Sequence, residues 1–290
     1  MTTMEIKPLS DALGTEISGV DVSTLSNAEF ARVYDLWIGH CVLVFRNQDL
    51  SPQSLIEFSR RFGDLEMPPS SEKGSREEER AAVAPEMWII SNVVENGRPI
   101  GALGSGEAFW HTDMSYLPNP PTASILYGHE VPASGSSTWY GNMYAAIEQM
   151  PASLRARIEG LEANHDSSYT AAGELRKGAQ PVQDVRSAPG AHHPIIRPHP
   201  ETGRETLYLG RRLNGYVLGL PLEESESLLN MLWDWCSRPQ FTYEHKWQRG
   251  DLVVWDNRAT THRRAPFNAD ERRIMWRCQV KSAQKAAVAA

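Results

Sequence analysis

A chain of 290 residues, 41% hydrophobic and 22% charged, has the composition of an ordinary folded enzyme and the length to bury a large core. Its net charge of -7 argues against electrostatic capture of nucleic acid, which relies on clustered positive charge. No stretch approaches the roughly 20 apolar residues of a membrane-spanning helix, and the opening MTTMEIKPLSDALG lacks the basic-then-apolar order of a secretory signal.

No Gly/Ser/Pro-rich linker divides the chain, so residues 1–290 read as one domain. Ser26 followed by Glu29 is a capping-box pattern, and Phe30, Val33, Tyr34 and Trp37 then recur at helical spacing. Cys41 to Phe45 reads as a buried strand. Ser51-Pro52 opens a second helix that Gly63 closes. Residues 67–85 are rich in proline, serine and charge and read as an exposed loop, either a mobile lid or a plain surface insertion. Strand-like runs follow at Trp88 to Val93, Ala123 to Tyr127, Leu207 to Leu209, Phe241 to His245, Leu252 to Trp255 and Ile274 to Val280. Helical stretches interrupt at Met143 to Met150, Ala152 to Gly160 and Leu222 to Cys236. Many short strands with flanking helices predict a mainly β fold of the jelly-roll, cupin-like type, ending in a frayed tail at 284–290. Cys41, Cys236 and Cys278 are odd in number and far apart, which fits buried, reduced thiols in the cytoplasm.

Chemistry enters at FWHTDMSY, where His111 and Asp113 stand two apart. On an extended strand, positions i and i+2 share a face, so both side chains reach one metal. A lone His-x-Asp is weak by itself, since Asp113 could simply cap a turn. A third ligand is open among His129, His165, His192, His193, His199, His245 and His262. His192, His193 and His199 lie among prolines and read as ordinary loop packing. His262 stands out because it ends GDLVVWDNRATTH, a turn-strand-turn segment followed by the basic strand ERRIMWR. Two imidazoles and a carboxylate form the facial triad of non-haem iron(II) oxygenases. In that last strand, period-two alternation puts Arg273 and Arg277 on one face. Two guanidiniums so placed repel unless anions sit beside them, and arginine grips a carboxylate through two parallel hydrogen bonds. The plainer alternative pairs one of them with Asp270 or Glu271.

The blocks CVLVFRNQDLS, FSRRFG, FWHTDMSYLPNPPTASIL, VPASGSSTWYGNMYAAIEQMP, GDLVVWDNRATTHRR and RRIMWR, in this order, carry a resemblance covering nearly the whole chain. The chain is similar to the family containing taurine dioxygenase and the 2,4-dichlorophenoxyacetate dioxygenases. The resemblance implies a double-stranded β-helix with iron(II) on His111, Asp113 and His262. It implies that Arg273, with Thr138, grips the distal carboxylate of 2-oxoglutarate, and that Arg277 holds the acid group of the primary substrate. Dioxygen is the oxidant, and succinate and carbon dioxide are released as the small organic acid is hydroxylated. Glu107, Met114 and Tyr116 flank the metal residues and are expected at the substrate. GSGEAFW does not align with the taurine-binding pattern, so a small organic acid such as an aryloxyalkanoate, aryl carboxylate or sulfonate leads, and taurine or an alkyl sulfonate is the alternative. A jelly-roll metal hydrolase or isomerase ignoring 2-oxoglutarate is the reading from another class. No membrane or nucleic-acid partner is expected, and a homo-oligomer is.

Overall fold

The computed structural model describes residues 4–68, 84–106 and 108–282. Residues 69–83 of the expected loop, Glu107 and the expected tail lie outside the described residues. The chain is mostly strand with few helices. Ser26 caps Asn27–His40 as its pattern predicts: the Glu29 N–H donates to its hydroxyl at 3.3 Å, and its own N–H donates to the Glu29 carboxylate at 2.8 Å. Ser51 caps Pro52–Arg60 by accepting from the Ser54 N–H at 3.1 Å. Among the described residues, no helix is long and apolar enough to cross a membrane.

Two sheets organise the site. Among the described residues, the larger has eight strands in the order Glu5–Pro8, Thr15–Ser18, Val42–Phe45, Leu252–Asp256, Ala123–Glu130, Ile274–Val280, Trp88–Ser91 and Ala102–Leu103. The smaller has four, in the order Thr242–His245, Thr138–Asn142, Thr260–Arg264 and Ala108–His111. Its long-range antiparallel pairing places strands far apart in sequence side by side.

The central strands of the large sheet are apolar without alternation because both faces are covered. Leu43, Phe45, Ile125, Tyr127, Leu252 and Val254 pack in one core with the two N-terminal helices. Their neighbours Val42, Val44, Leu126, Val253 and Trp255 face the other way and pack with Tyr140 of the small sheet. A third core gathers around Leu222–Cys236, where Leu228, Leu229 and Leu232 meet Ile147, Leu207 and Val217.

Several expectations shift: the helix expected from Ala152 to Gly160 is a single turn, Ala152–Arg155. The histidine- and proline-rich stretch from 192 to 200 is not a loop but contains the strands Gly190–Pro194 and Ile196–Pro198. Pro194 and Pro198 lie on edge strands, where a missing N–H is tolerated. The run Leu207 to Leu209 supplies only the last residue of a strand, Glu205–Leu207.

Candidate metal centre

His262 lies directly across from His111 in the ladder joining Thr260–Arg264 to Ala108–His111. Strand register, not sequence proximity, thus sets their ring centres 4.1 Å apart. Asp113 arrives differently from expectation. The strand stops at His111, and Asp113 sits in the turn that follows, before Met114 at a positive φ of 48°. The i, i+2 spacing therefore works through a turn, held from outside. The Asp113 N–H donates to Asn257 Oδ1 at 2.9 Å, and Asn257 Nδ2 donates back to the Asp113 carbonyl at 2.9 Å. The Ser124 hydroxyl donates to Asp113 Oδ2 at 2.8 Å and itself accepts from Gln279 Nε2 at 2.9 Å.

These contacts leave Asp113 Oδ1 facing His111 Nε2 at 3.5 Å and His262 Nε2 at 3.8 Å. The three ligand atoms lie within 4.8 Å of one another, and all three residues are buried. His111 Nδ1 is 2.7 Å from the Phe109 carbonyl, which only accepts, so the proton resides on Nδ1 and the Nε2 lone pair points inward. Burial and the neighbouring His111 outweigh Asp113 and push the His262 imidazole down to about 3, so it is neutral. Burial alone would raise the Asp113 carboxyl, but Arg277, His262 and His111 hold it well below the usual carboxylate range. Two imidazoles and one carboxylate, converging from one side, fit an octahedral iron(II) with open positions.

Beside this group lies a partly open cavity of about 560 Å³, the solvent at its mouth included. Thr138, Arg264, Arg273 and Arg277 supply its polar wall, while Ile90, Leu126, Trp255, Ala108, Ala171 and Ala172 supply apolar surface. Arg273 and Arg277 therefore meet as the strand alternation predicts, although Arg273 stands one residue before Ile274–Val280. Arg277 Nη1 is 3.5 Å from Asp113 Oδ1, and its guanidinium covers the Trp88 ring at 4.1 Å. Arg273 is 2% exposed, and its Nε has no hydrogen-bond partner among the described residues. Burial, then repulsion from Arg264, lowers the Arg273 guanidinium to about 9. Such a group is stabilised by an incoming carboxylate, which is the fit required of a 2-oxoglutarate clamp.

Sequence reasoning missed several contributors. Arg264 was legible: it stands two after His262 on a strand and so shares its face. Ser124 and Asn257 carried no signal, since their roles depend on contacts 11 and 144 residues away in sequence. Met114 and Tyr116 do not line the cavity, and the Tyr116 ring instead carries the Arg176 guanidinium at 4.8 Å. The remaining histidines stay outside the metal group. His193 Nε2 donates to the Ser115 carbonyl at 2.8 Å and so braces the loop after Asp113, while His199 pairs with Asp256 at 2.9 Å. His129 stacks on Trp276, and His165 on Tyr208.

Residues 5–279 match the family described as taurine catabolism dioxygenase TauD, TfdA family. The chain is 32% identical to an (S)-phenoxypropionate/alpha-ketoglutarate-dioxygenase of Sphingobium herbicidovorans, covering 95% of this chain and 94% of that protein. It is 31% identical to an alpha-ketoglutarate-dependent 2,4-dichlorophenoxyacetate dioxygenase of Cupriavidus pinatubonensis, over 93% of this chain and 95% of the other. Its structure resembles the crystal structure of AAD-2 in complex with Mn(II) and N-oxalylglycine. The TM-score is 0.78 at 27% identity, over 97% of this chain and 98% of the other.

Proposed function

The chain belongs to the taurine catabolism dioxygenase TauD, TfdA family, and on that premise we propose that it hydroxylates a small aryl or aryloxy organic acid anchored by Arg277. It is an α-ketoglutarate-dependent dioxygenase that uses iron(II), 2-oxoglutarate and dioxygen. When bound, the iron couples decarboxylation of 2-oxoglutarate to succinate with delivery of one oxygen atom to a substrate C–H bond. His111, Asp113 and His262 would hold the iron, and Arg273 with Thr138 would hold the distal carboxylate of 2-oxoglutarate. We read the paired sheets as a double-stranded β-helix and residues 1–290 as one domain.

The observation that carries the substrate class is the cavity wall. Its described lining residues set three guanidiniums, two imidazoles and the Thr138 hydroxyl against the apolar surface of Ile90, Leu126, Trp255 and three alanines. That wall suits an anion with an apolar body. Arg277, 3.5 Å from the metal-facing oxygen of Asp113, fixes the acid group beside the metal residues, so the carbon next to that group is the one presented for reaction. The Ala171 carbonyl accepts the Phe109 N–H at 2.9 Å, which ties this part of the lining to the metal strand. Hydroxylation of a carbon bearing an aryloxy oxygen gives a hemiacetal that collapses to a phenol and a carbonyl acid. The three buried free thiols fit a reducing compartment, and we place the protein in the cytoplasm as a symmetric homo-oligomer.

The test is succinate release with iron(II), ascorbate and 2-oxoglutarate across phenoxyacetates, phenoxypropionates, phenylpropanoid acids, alkyl sulfonates and taurine. Aryl and aryloxy acids should give the highest kcat/KM. Preference for taurine over every aryl acid would overturn the assignment.

A further inference from the structure

The side chain on which Thr138 depends lies outside the cavity. The Trp247 indole N–H donates to Thr138 Oγ1 at 2.9 Å, and both residues are buried, at 7% and 3% exposure. A hydroxyl offers one donor and two acceptor sites, whereas an indole N–H only donates. In this pair Thr138 must therefore accept, and its single proton is directed away from Trp247. Thr138 lines the cavity with Arg273 and Arg264, so its proton is left for the neighbouring Tyr140 hydroxyl or, once one is bound, for an anion in the cavity.

We propose that Trp247 is a positioning residue for the cosubstrate: it holds Thr138 as a donor to the distal carboxylate of 2-oxoglutarate. The inference rests on reading Thr138 as a ligand of that carboxylate. Trp247 is itself fixed. Its ring meets the His245 imidazole edge-on, at 4.6 Å and 89°. His245 is fully buried and lies 3.1 Å from Asp251. Asp251 also accepts the Gln248 N–H at 2.7 Å and pairs with Arg46 at 2.6 Å. Strand pairing sets His245 directly opposite Thr138, so the turn carrying Trp247 is anchored at the same level of the sheet as the threonine it serves. A rotated Thr138 would present a lone pair instead of a proton to the carboxylate, beside an arginine whose own interaction would be unchanged.

The experiment is a double-mutant cycle on Trp247→Phe and Thr138→Val, read by calorimetric binding of 2-oxoglutarate to the Mn(II)-loaded protein without oxygen. Apparent KM and kcat with an aryloxy acid are measured alongside. Losing one neutral hydrogen bond should weaken 2-oxoglutarate binding roughly two- to tenfold in Trp247→Phe. KM for 2-oxoglutarate should change more than kcat. In the Thr138→Val background the same change should have no further effect, because its target is gone. Trp247→His, which returns a ring N–H, should recover part of the affinity, and Trp247→Leu runs the same cycle if Trp247→Phe does not fold. Normal 2-oxoglutarate binding in Trp247→Phe with weakened binding in Thr138→Val would overturn the role of Trp247 and leave Thr138 as a ligand. Additive losses in the double variant would also overturn it. Normal binding in Thr138→Val would remove the clamp reading and this inference together.

Discussion

Asp113 and Asp256 are both buried carboxylates beside histidines, 5% and 1% exposed, yet their oxygens are occupied in opposite ways. Asp256 is saturated. Its Oδ1 accepts from the Arg258 N–H and Nε at 2.9 and 2.8 Å, and its Oδ2 accepts from His199 and Arg258 Nη2 at 2.9 and 2.7 Å. Asp113 has one oxygen tied to Ser124, while the other faces His111, His262 and Arg277 at 3.5, 3.8 and 3.5 Å, beyond good hydrogen-bond length. The saturated carboxylate is scaffold. The carboxylate held by one oxygen, with the other aimed into a group of ligand atoms, is shaped for a metal. His–Asp proximity alone does not distinguish them, and neither does burial.

The sharpest way to break this contrast is Asp113→Ala, which should reduce substrate-dependent succinate release to background while shifting the melting temperature less than Asp256→Ala does. Turnover near that of the unmodified protein would dissolve the metal assignment. Next in size, Asp256→Ala leaves the buried Arg258 without its main partner and should cost about 3–5 kcal/mol of unfolding free energy. Denaturant titration of the metal-free protein measures it. A loss under about 1 kcal/mol would mean that Asp256 is not the anchor its contacts indicate.

The two clamp arginines come third. Arg273→Ala should raise the KM for 2-oxoglutarate, and Arg277→Ala that for the organic acid, each by roughly ten- to a hundredfold from a lost charge-assisted contact. The reverse pattern would exchange their roles. Ser124→Ala releases only the orientation of Asp113 and should weaken metal binding about tenfold, as removal of an outer hydrogen bond to a ligand commonly does. Competition with a chelator reads it.

The smallest effect is in pH. Burial alone would raise the Asp256 carboxyl, but Arg258 and His199 hold it below its ordinary value of 3.8. A carboxyl lowered by folding adds stability above its unfolded value and loses it as pH falls through the folded one. The stability gap between the unmodified protein and Asp256→Asn should therefore narrow as pH drops from about 5 to about 3. A gap independent of pH over that range would show that Asp256 does not titrate differently on folding.

Much of this molecule is written locally. Ser26 and Glu29 fix a helix start, and the unbroken apolar run Leu252 to Trp255 announces a strand covered on both faces. Alternation in RRIMWR places Arg273 and Arg277 together, because strand geometry repeats every two residues whatever surrounds it. The family blocks make the chemistry readable before any coordinates. Tertiary structure decided the rest. Nothing local pairs His262 with His111, selects Ser124 and Asn257 to aim Asp113, or sets Trp247 against Thr138. Those relations come from the register between distant strands, and register is fixed by how whole sheets bury their apolar faces rather than by any residue's neighbours in sequence.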